Sequence, residues 1–288
     1  MGFKTFTTMY NSFVNSIMNY ACAVWGVKDI PCCDAIQYRA MRLFLGVHRF
    51  TPKPAISGEM GWMPTFSERI LCALNFYNRI SSLDENRIPK QVLMNEFMKP
   101  CSWSNDLYNV LKSVDMHQTF DVSSAVDINM FKERKSEKDI DIWHRKCENL
   151  PKLRTYILFK MDYDTEHYLK HTFHRGKKAV MAQFRCGILP LKIETGRFTN
   201  IPVQFRICEF CNSENVEDES HILLTCSLYD REKSVLFNTV DEIYESFHQY
   251  ENDVKMLILM NDEDLSQRVV DFLYAAYNKR NNILYDQI

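Results

Sequence analysis

Three cysteines and one histidine in the last third of the chain have the residue types and spacing of a metal site. Cys208, Cys211, His221 and Cys226 follow the pattern C-x2-C-x9-H-x4-C. Zinc prefers four thiolate or imidazole ligands in a tetrahedron, and a C-x2-C pair supplies two thiolates from one tight turn. Four protein ligands leave no open coordination position, so the pattern predicts one structural Zn²⁺ ion. The polar and acidic residues 212–220 are expected to form an exposed excursion that buries nothing.

Other interpretations of the cysteines and histidines are weaker. Ten cysteines could place one C-x2-C pair by chance, but a histidine and a third cysteine at ligand spacing argue against chance. A deaminase-type catalytic zinc needs an H-x-E triplet before the C-x2-C pair, and none is present. His167, His171 and His174 share one helical face, yet no nearby cysteine or carboxylate completes a second site. The cysteines that lie among apolar residues are expected to be small buried side chains: Cys22, Cys72, Cys147 and Cys186.

A basic segment precedes the four potential ligands. Residues 151–206 carry eleven Lys/Arg against four Asp/Glu, whereas residues 207–264 carry three against fifteen, within a chain of net charge −2. Repeated cations of this kind favour contact with phosphates, although they are also typical of solvated helix faces. The residues predicted to contact nucleic acid are Arg175, Lys177, Lys178, Arg185, Lys192 and Arg197. Interleaved aromatic residues could stack on unpaired bases where they are exposed, but a place in the core is favoured for them: Tyr156, Phe159, Phe173, Phe184 and Phe198.

Apolar residues recur at helical spacing along most of the chain, which predicts a predominantly α fold. One stripe runs from Phe6 to Met18, and a helix over Cys33–Leu45 is expected to end at Gly46. Residues 51–64 hold three prolines and two glycines and are interpreted as an ordered loop. Thr65 and Glu68 have the spacing of a capping box at the start of the next helix. A later helix is expected to stop at Gly187.

Four consecutive segments are predicted from these patterns. They are a thumb-like helical region (1–115), a connector that carries the basic segment (116–206), a CCHC zinc knuckle (207–230) and C-terminal helices (231–288). Residues 116–126 are the best candidate for a break between halves.

Several segments together resemble the C-terminal portion of non-LTR, LINE-type (jockey- or CR1-like) retrotransposon reverse transcriptases. YNSFVNSIMNYACAVWG (10–26) is similar to the helix after the polymerase palm, with the Y-x-x-x-x-W-G ending of such elements. AIQYRAMRLFLGVHRFTPKPAISGEMGWMP (35–64) resembles the next thumb helix and its loop. LRTYILFK, AQFRCGILPLKIETGRF and the knuckle with its E-D-E-S-H approach resemble the same tail, in the same order.

The resemblance implies thumb-like helices, a basic connector and a zinc knuckle from an enzyme of target-primed reverse transcription. The palm of that family carries its carboxylates in an F/Y-x-D-D turn, which does not occur here. We therefore expect a nucleic-acid-binding and zinc-binding C-terminal fragment that is not an enzyme by itself. Its expected partner is RNA or DNA, either single-stranded or as an RNA–DNA hybrid.

A second hypothesis is a zinc-stabilised helical protein-interaction module, or a decayed element product, without nucleic-acid affinity of its own. The acidic residues 207–264 favour it, because they would repel phosphates. The sequence shows no P-loop, nucleophile elbow, H-E-x-x-H or dinucleotide motif, and no small-molecule substrate is indicated. No apolar run reaches the roughly 18 residues that a membrane helix needs, and the N-terminus lacks a signal peptide. An intracellular location, cytoplasmic or nuclear, is expected.

Overall fold

The computed structural model describes residues 1–97 and 99–285. Within them the chain forms sixteen α-helices and no β-strand, which confirms the prediction of a predominantly α fold. The α-helices are α1 Phe3–Met9, α2 Ser16–Met18, α3 Cys22–Trp25, α4 Pro31–Leu45, α5 Lys53–Met60, α6 Thr65–Ser81, α7 Ile88–Phe97, α8 Trp103–Lys112, α9 Ile128–Glu148, α10 Tyr156–Phe159, α11 His167–Lys170, α12 Arg175–Arg185, α13 Lys192–Thr195, α14 Asp230–Ile243, α15 Asn252–Asn261 and α16 Glu263–Tyr285. No helix in these ranges is long and apolar enough to cross a membrane.

Short turns of other helix types join these elements. A π-helix over Tyr10–Asn15 connects α1 to α2, and a second covers His221–Thr225. The 3₁₀-helices are Pro151–Leu153, Val203–Phe205, Ser227–Tyr229 and Phe247–Gln249.

The chain divides into two compact units that are discontinuous in sequence. Unit 1 comprises Met1–Phe6, Arg39–Trp62 and Lys146–Ile288, and unit 2 comprises Thr7–Tyr38 and Met63–Arg145. The candidate break at residues 116–126 has no helix but falls inside unit 2, where Phe120 and Val122 pack against the core. A stretch without helical periodicity can therefore be part of a packed unit.

Unit 2 is organised around α6. This helix buries one apolar face in a core that is shared with α7, α8 and the start of α9. Its fully buried members include Ile70, Ala73, Leu74, Tyr77, Leu107, Leu111 and Phe131. Tyr77 also donates a hydrogen bond to the carbonyl of Ser124, which holds the non-helical stretch against the core.

The predicted capping box of α6 does not form. Thr65 is the first helical residue, and Asp34 of α4 accepts hydrogen bonds from the Thr65 backbone N–H (3.1 Å) and hydroxyl (2.6 Å). Glu68 instead accepts from Asn15, at 2.8 Å. A carboxylate from another helix thus caps α6, which no local sequence pattern could indicate.

Residues 51–64 contain helix α5, so their interpretation as a loop was wrong. Pro54 is tolerated because the first turn of a helix needs no backbone N–H from it. Gly61, at φ +63°, ends the helix. Most of α5 is buried in unit 1, including Ala55, Ile56 and Met60. In the same unit, α12, α14 and α15 each pack against α16.

Candidate metal centre and basic segment

The four predicted metal ligands converge in unit 1. The ligand atoms of Cys208, Cys211, His221 and Cys226, hereafter the CCHC group, all lie within 4.8 Å of one another. The Cys208 and Cys226 sulfurs are 3.9 Å apart, and the Cys211 sulfur is 3.3 Å from His221 Nε2. Ligand atoms of tetrahedral zinc lie roughly 3.5–3.8 Å apart, given metal–ligand bonds of about 2.0–2.3 Å. The group therefore has the dimensions to hold a metal ion.

A tight turn brings the two halves of the CCHC group together. Ile207 and Val216 form an isolated antiparallel bridge, and the Cys208 N–H donates to the Asn215 carbonyl at 2.9 Å. Glu214 adopts φ +55°, which reverses the chain between them. The π-helix that begins at His221 then places Cys226 beside Cys208. Its last turn is closed by the Cys226 N–H, which donates to the His221 carbonyl.

Two polar contacts orient His221. Its Nδ1 lies 2.9 Å from the Thr225 hydroxyl, so Nε2 is the ring nitrogen that faces the thiols. Its backbone N–H donates to the Asp218 carboxylate at 2.8 Å. A metal-binding histidine commonly forms a hydrogen bond through its second ring nitrogen, as Nδ1 does here with Thr225, and this bond fixes the orientation of the ring.

The acidic approach to His221 is buried, not exposed as expected. Glu217 and Glu219 are 0% and 2% exposed. Glu217 pairs bidentately with Arg280 of α16, at 3.1 and 2.9 Å, and also accepts from the Lys192 backbone N–H. Glu219 accepts from Arg154 at 2.7 Å. Only residues 212–215 form the exposed excursion, whereas these two carboxylates attach the turn to the rest of unit 1.

Burial decides the direction of the pKa shift for Cys208, Cys226 and His221. It raises the pKa of the Cys208 thiol and raises that of Cys226 to about 12. It also lowers the pKa of His221, which favours the neutral imidazole that binds metals. At Cys211 burial also acts to raise the pKa, but hydrogen bonds with Ser213 outweigh it and the pKa is lowered. Thiols with raised pKa values ionise near neutral pH only when a cation stabilises the thiolate.

No second metal group forms among the residues that the structure describes. His174 is the N-cap of α12 and accepts from the Gly176 N–H, while His167 Nδ1 lies 3.4 Å from Glu263. Burial is confirmed for Cys22, Cys147 and Cys186, but Cys72 is exposed on α6. All ten cysteines are free.

Arg185 is not available to bind nucleic acid, which corrects its prediction as a phosphate contact. Its side chain is 0% exposed and lies between Glu59, at 3.0 Å, and Glu166, at 2.6 Å. It faces inward because it lies four and three positions after the buried Met181 and Ala182, on the same side of α12. Its positive charge therefore balances buried carboxylates of unit 1.

The other five predicted cations differ in their surroundings. Lys177 pairs with Asp271, Lys192 with Glu209 and Arg197 with Glu194, at 2.7, 2.6 and 3.5 Å. Lys178 is largely buried, and its ammonium lies 3.5 Å above the Phe44 ring. Arg175 is exposed at the start of α12. Among the described residues, neither Arg175 nor Lys178 has a carboxylate within ion-pair distance.

The core position is confirmed for three of the five interleaved aromatic residues. Tyr156, Phe159 and Phe184 are buried, and Phe173 is partly so. Phe198 is 79% exposed, in the loop between α13 and the metal turn. The prediction that Phe198 lies in the core was wrong, because local apolar spacing does not show which residues of a loop face inward.

Comparison with known proteins gives no assignment. No family model, curated protein or solved structure matches this chain significantly.

Proposed function

We propose that the chain is a zinc-stabilised, helical nucleic-acid-binding protein, as its resemblance to LINE-type reverse transcriptases implies. The observation that carries this proposal is the convergence of the CCHC group on one small volume next to a basic segment. Three thiolates and one imidazole suit zinc, whereas hard cations such as Mg²⁺ prefer oxygen ligands. Four protein ligands leave no position for a substrate, so the proposed role of the ion is structural. No enzymatic activity is proposed.

Nucleic-acid contact is proposed for the start of α12. Arg175 and Lys178 are three residues apart, so they lie on the same side of the helix. The N-terminal end of a helix also favours anions, because its backbone N–H groups point outward. Because the thiols are free, we further propose an intracellular location, cytoplasmic or nuclear, where cysteines stay reduced.

The zinc assignment is tested on protein purified without added metal. Elemental analysis is expected to find one equivalent of zinc, and X-ray absorption to find three sulfur neighbours and one nitrogen neighbour. The variant Cys208→Ser should lower the zinc content, whereas Cys72→Ser, a change of an exposed cysteine outside the group, should not. Protein that folds with no bound metal would contradict the assignment.

Nucleic-acid binding is tested by titration of the full chain with fluorescent single-stranded and duplex oligonucleotides. We expect the affinity to fall as salt rises, because each phosphate contact releases counterions. Lack of binding at low salt, or binding that salt does not change, would contradict the proposal.

The paired cations favour a second candidate function, a protein-interaction module. Lys177, Lys192 and Arg197 already have carboxylate partners, so the basic segment offers fewer free charges than its sequence suggests. This alternative gains support if zinc binding is confirmed while no oligonucleotide binds. Reversal of the charges of Arg175, Lys177 and Lys178 that leaves every binding partner unaffected would also support it.

A further inference from the structure

Two hollows on the surface of unit 1 lie between α4 and α12 and share two lining residues. The first, of about 330 Å³, is lined by Phe44, Phe173 and Lys178, and the second, of about 580 Å³, by Arg42 and His48. Leu43 and Arg175 line both. We call these seven residues and the space between them the α4–α12 groove.

The groove is positively charged. Its lining includes the cations Arg42, Arg175 and Lys178, and no Asp or Glu lines either hollow in the part of the chain that the structure describes. Burial, and next the charge of Arg175, lowers the pKa of the Lys178 ammonium. Arg175 and Lys178 are like charges close to each other, and a bound anion stabilises such a pair.

One wall of the groove is apolar. Leu43 is 63% exposed, Phe173 is partly exposed, and Phe44 forms the floor beneath the Lys178 ammonium. A phosphate alone would use only the cations. A flat, uncharged group attached to the phosphate would also cover the apolar wall, and a nucleobase is such a group.

The backbone holds the two sides of the groove in close contact. Gly46, at φ +71°, brings the end of α4 so near α12 that an added Cβ would lie 2.7 Å from Ala179 Cβ. Gln183 Nε2 donates to the Gly46 carbonyl at 3.2 Å. The cations are therefore presented by a fixed scaffold, which lowers the entropic cost of binding.

We propose that the α4–α12 groove binds an unpaired nucleotide of a nucleic-acid strand, with its phosphate on Arg175 and Lys178 and its base against Leu43 and Phe173. This inference rests on the proposed nucleic-acid-binding function. A base paired within a duplex is stacked and cannot lie against the apolar wall, so the groove selects single strands.

The test uses two variants of the full chain at exposed positions, Arg175→Gln and Leu43→Glu. The control is Lys132→Gln, which removes the same charge from an exposed position on α9 of unit 2. Circular dichroism and zinc content confirm that each variant folds. Four probes are titrated: a single-stranded oligonucleotide, its duplex, a nucleoside triphosphate and inorganic phosphate.

We expect the wild-type protein to prefer the single strand to the duplex. Arg175→Gln should weaken single-strand binding about tenfold, the size expected for one lost hydrogen bond to a charged group. It should also reduce the slope of log affinity against log salt by about 0.7, as one phosphate contact is lost. Leu43→Glu should weaken binding at least as much, while Lys132→Gln leaves it within about twofold.

The outcomes separate this inference from the proposed function. If both groove variants bind the oligonucleotide as the wild type does, the groove assignment is overturned and the proposed function stands. Equal affinity for duplex and single strand would also overturn it. If no oligonucleotide binds, the proposed function fails. In that case, triphosphate binding that depends on Arg175 would show that the ligand is a free nucleotide and overturn the proposal of a nucleic-acid strand. Inorganic phosphate binding as strongly as the triphosphate would overturn the proposed contact of the base with the apolar wall.

Discussion

Arg185 lies between two carboxylates in the interior of unit 1. It contacts Glu59 and Glu166 and donates to the Met260 carbonyl at 3.1 Å, and its guanidinium lies 4.6 Å from the centre of the Phe159 ring. Lys160 also pairs with Glu166, so two cations balance two carboxylates. This network connects α5, α12 and the chain before α11.

Arg185→Leu is expected to destabilise the protein by about 3–5 kcal/mol. The change leaves Glu59 buried without its partner, and breaking one side of a buried ion pair costs on that order. Urea denaturation measures the free energy of unfolding. Arg175→Leu, at an exposed position, should change it by no more than about 0.5 kcal/mol. Equal effects of the two variants would contradict the structural role of Arg185.

Thr225→Val is expected to weaken zinc affinity about 10- to 100-fold. Valine has nearly the same shape but cannot accept or donate a hydrogen bond, so His221 Nδ1 loses the contact that orients the ring. Competition with a chelating dye measures the affinity. Thr199→Val, on the loop that precedes the metal turn, serves as the control and should bind zinc as the wild type does. An unchanged affinity for Thr225→Val would show that the hydroxyl does not position the ligand.

At the scale of elements, three helices are followed by a glycine whose backbone is in the left-handed region. Gly46, Gly61 and Gly187 have φ values of +71°, +63° and +64° and follow α4, α5 and α12. An added Cβ at Gly187 would lie 2.3 Å from the Lys152 carbonyl oxygen. These positions need glycine for backbone conformation and for close approach.

Gly46→Ala is expected to destabilise unit 1 by more than about 1 kcal/mol. Alanine is strained at a positive φ, and its Cβ would overlap with Ala179. Thermal or urea unfolding measures the loss. Gly2→Ala is the matched control, because its φ lies outside the left-handed region and nothing lies within 4 Å of an added Cβ. A neutral Gly46→Ala variant would contradict the close contact of α4 with α12.

At the scale of the whole molecule, the metal turn and unit 2 should respond differently to loss of zinc. The CCHC group lies in unit 1, and the core around α6 belongs to unit 2. Glu217 and Glu219 connect the metal turn to Arg280 and Arg154, so loss of the metal should disturb more of unit 1 than the turn itself.

Chelation of zinc, or Cys208→Ser, is expected to unfold at least residues 200–230. Structural zinc contributes on the order of 10–16 kcal/mol of apparent binding free energy in small fingers. Hydrogen exchange read by peptide should show rapid exchange in 200–230 and slow exchange in α6 and α8. The control variant Cys101→Ser, at an exposed cysteine of unit 2, should change neither. Slow exchange throughout after chelation would contradict a structural metal.

The sequence by itself determined the helical class, several helix ends and the four potential ligands. Each of these depends on local spacing: apolar residues every three or four positions, a glycine after a helix, and two cysteines separated by two residues and followed by a histidine and a third cysteine. Gly46 follows the end of α4 and Gly187 follows the end of α12, as predicted. Glycine has no Cβ and therefore adopts the left-handed conformation without steric cost.

Only the tertiary structure decided where charged side chains point and which partners they meet. Glu217 lies in an acidic stretch and Arg185 among apolar residues, yet each is paired in the interior with a residue 63 or 126 positions away. Asp34 likewise caps α6 from a different helix, 31 positions away in the sequence. Burial of a charge depends on a partner that only the folded chain brings near, and no local pattern records that partner.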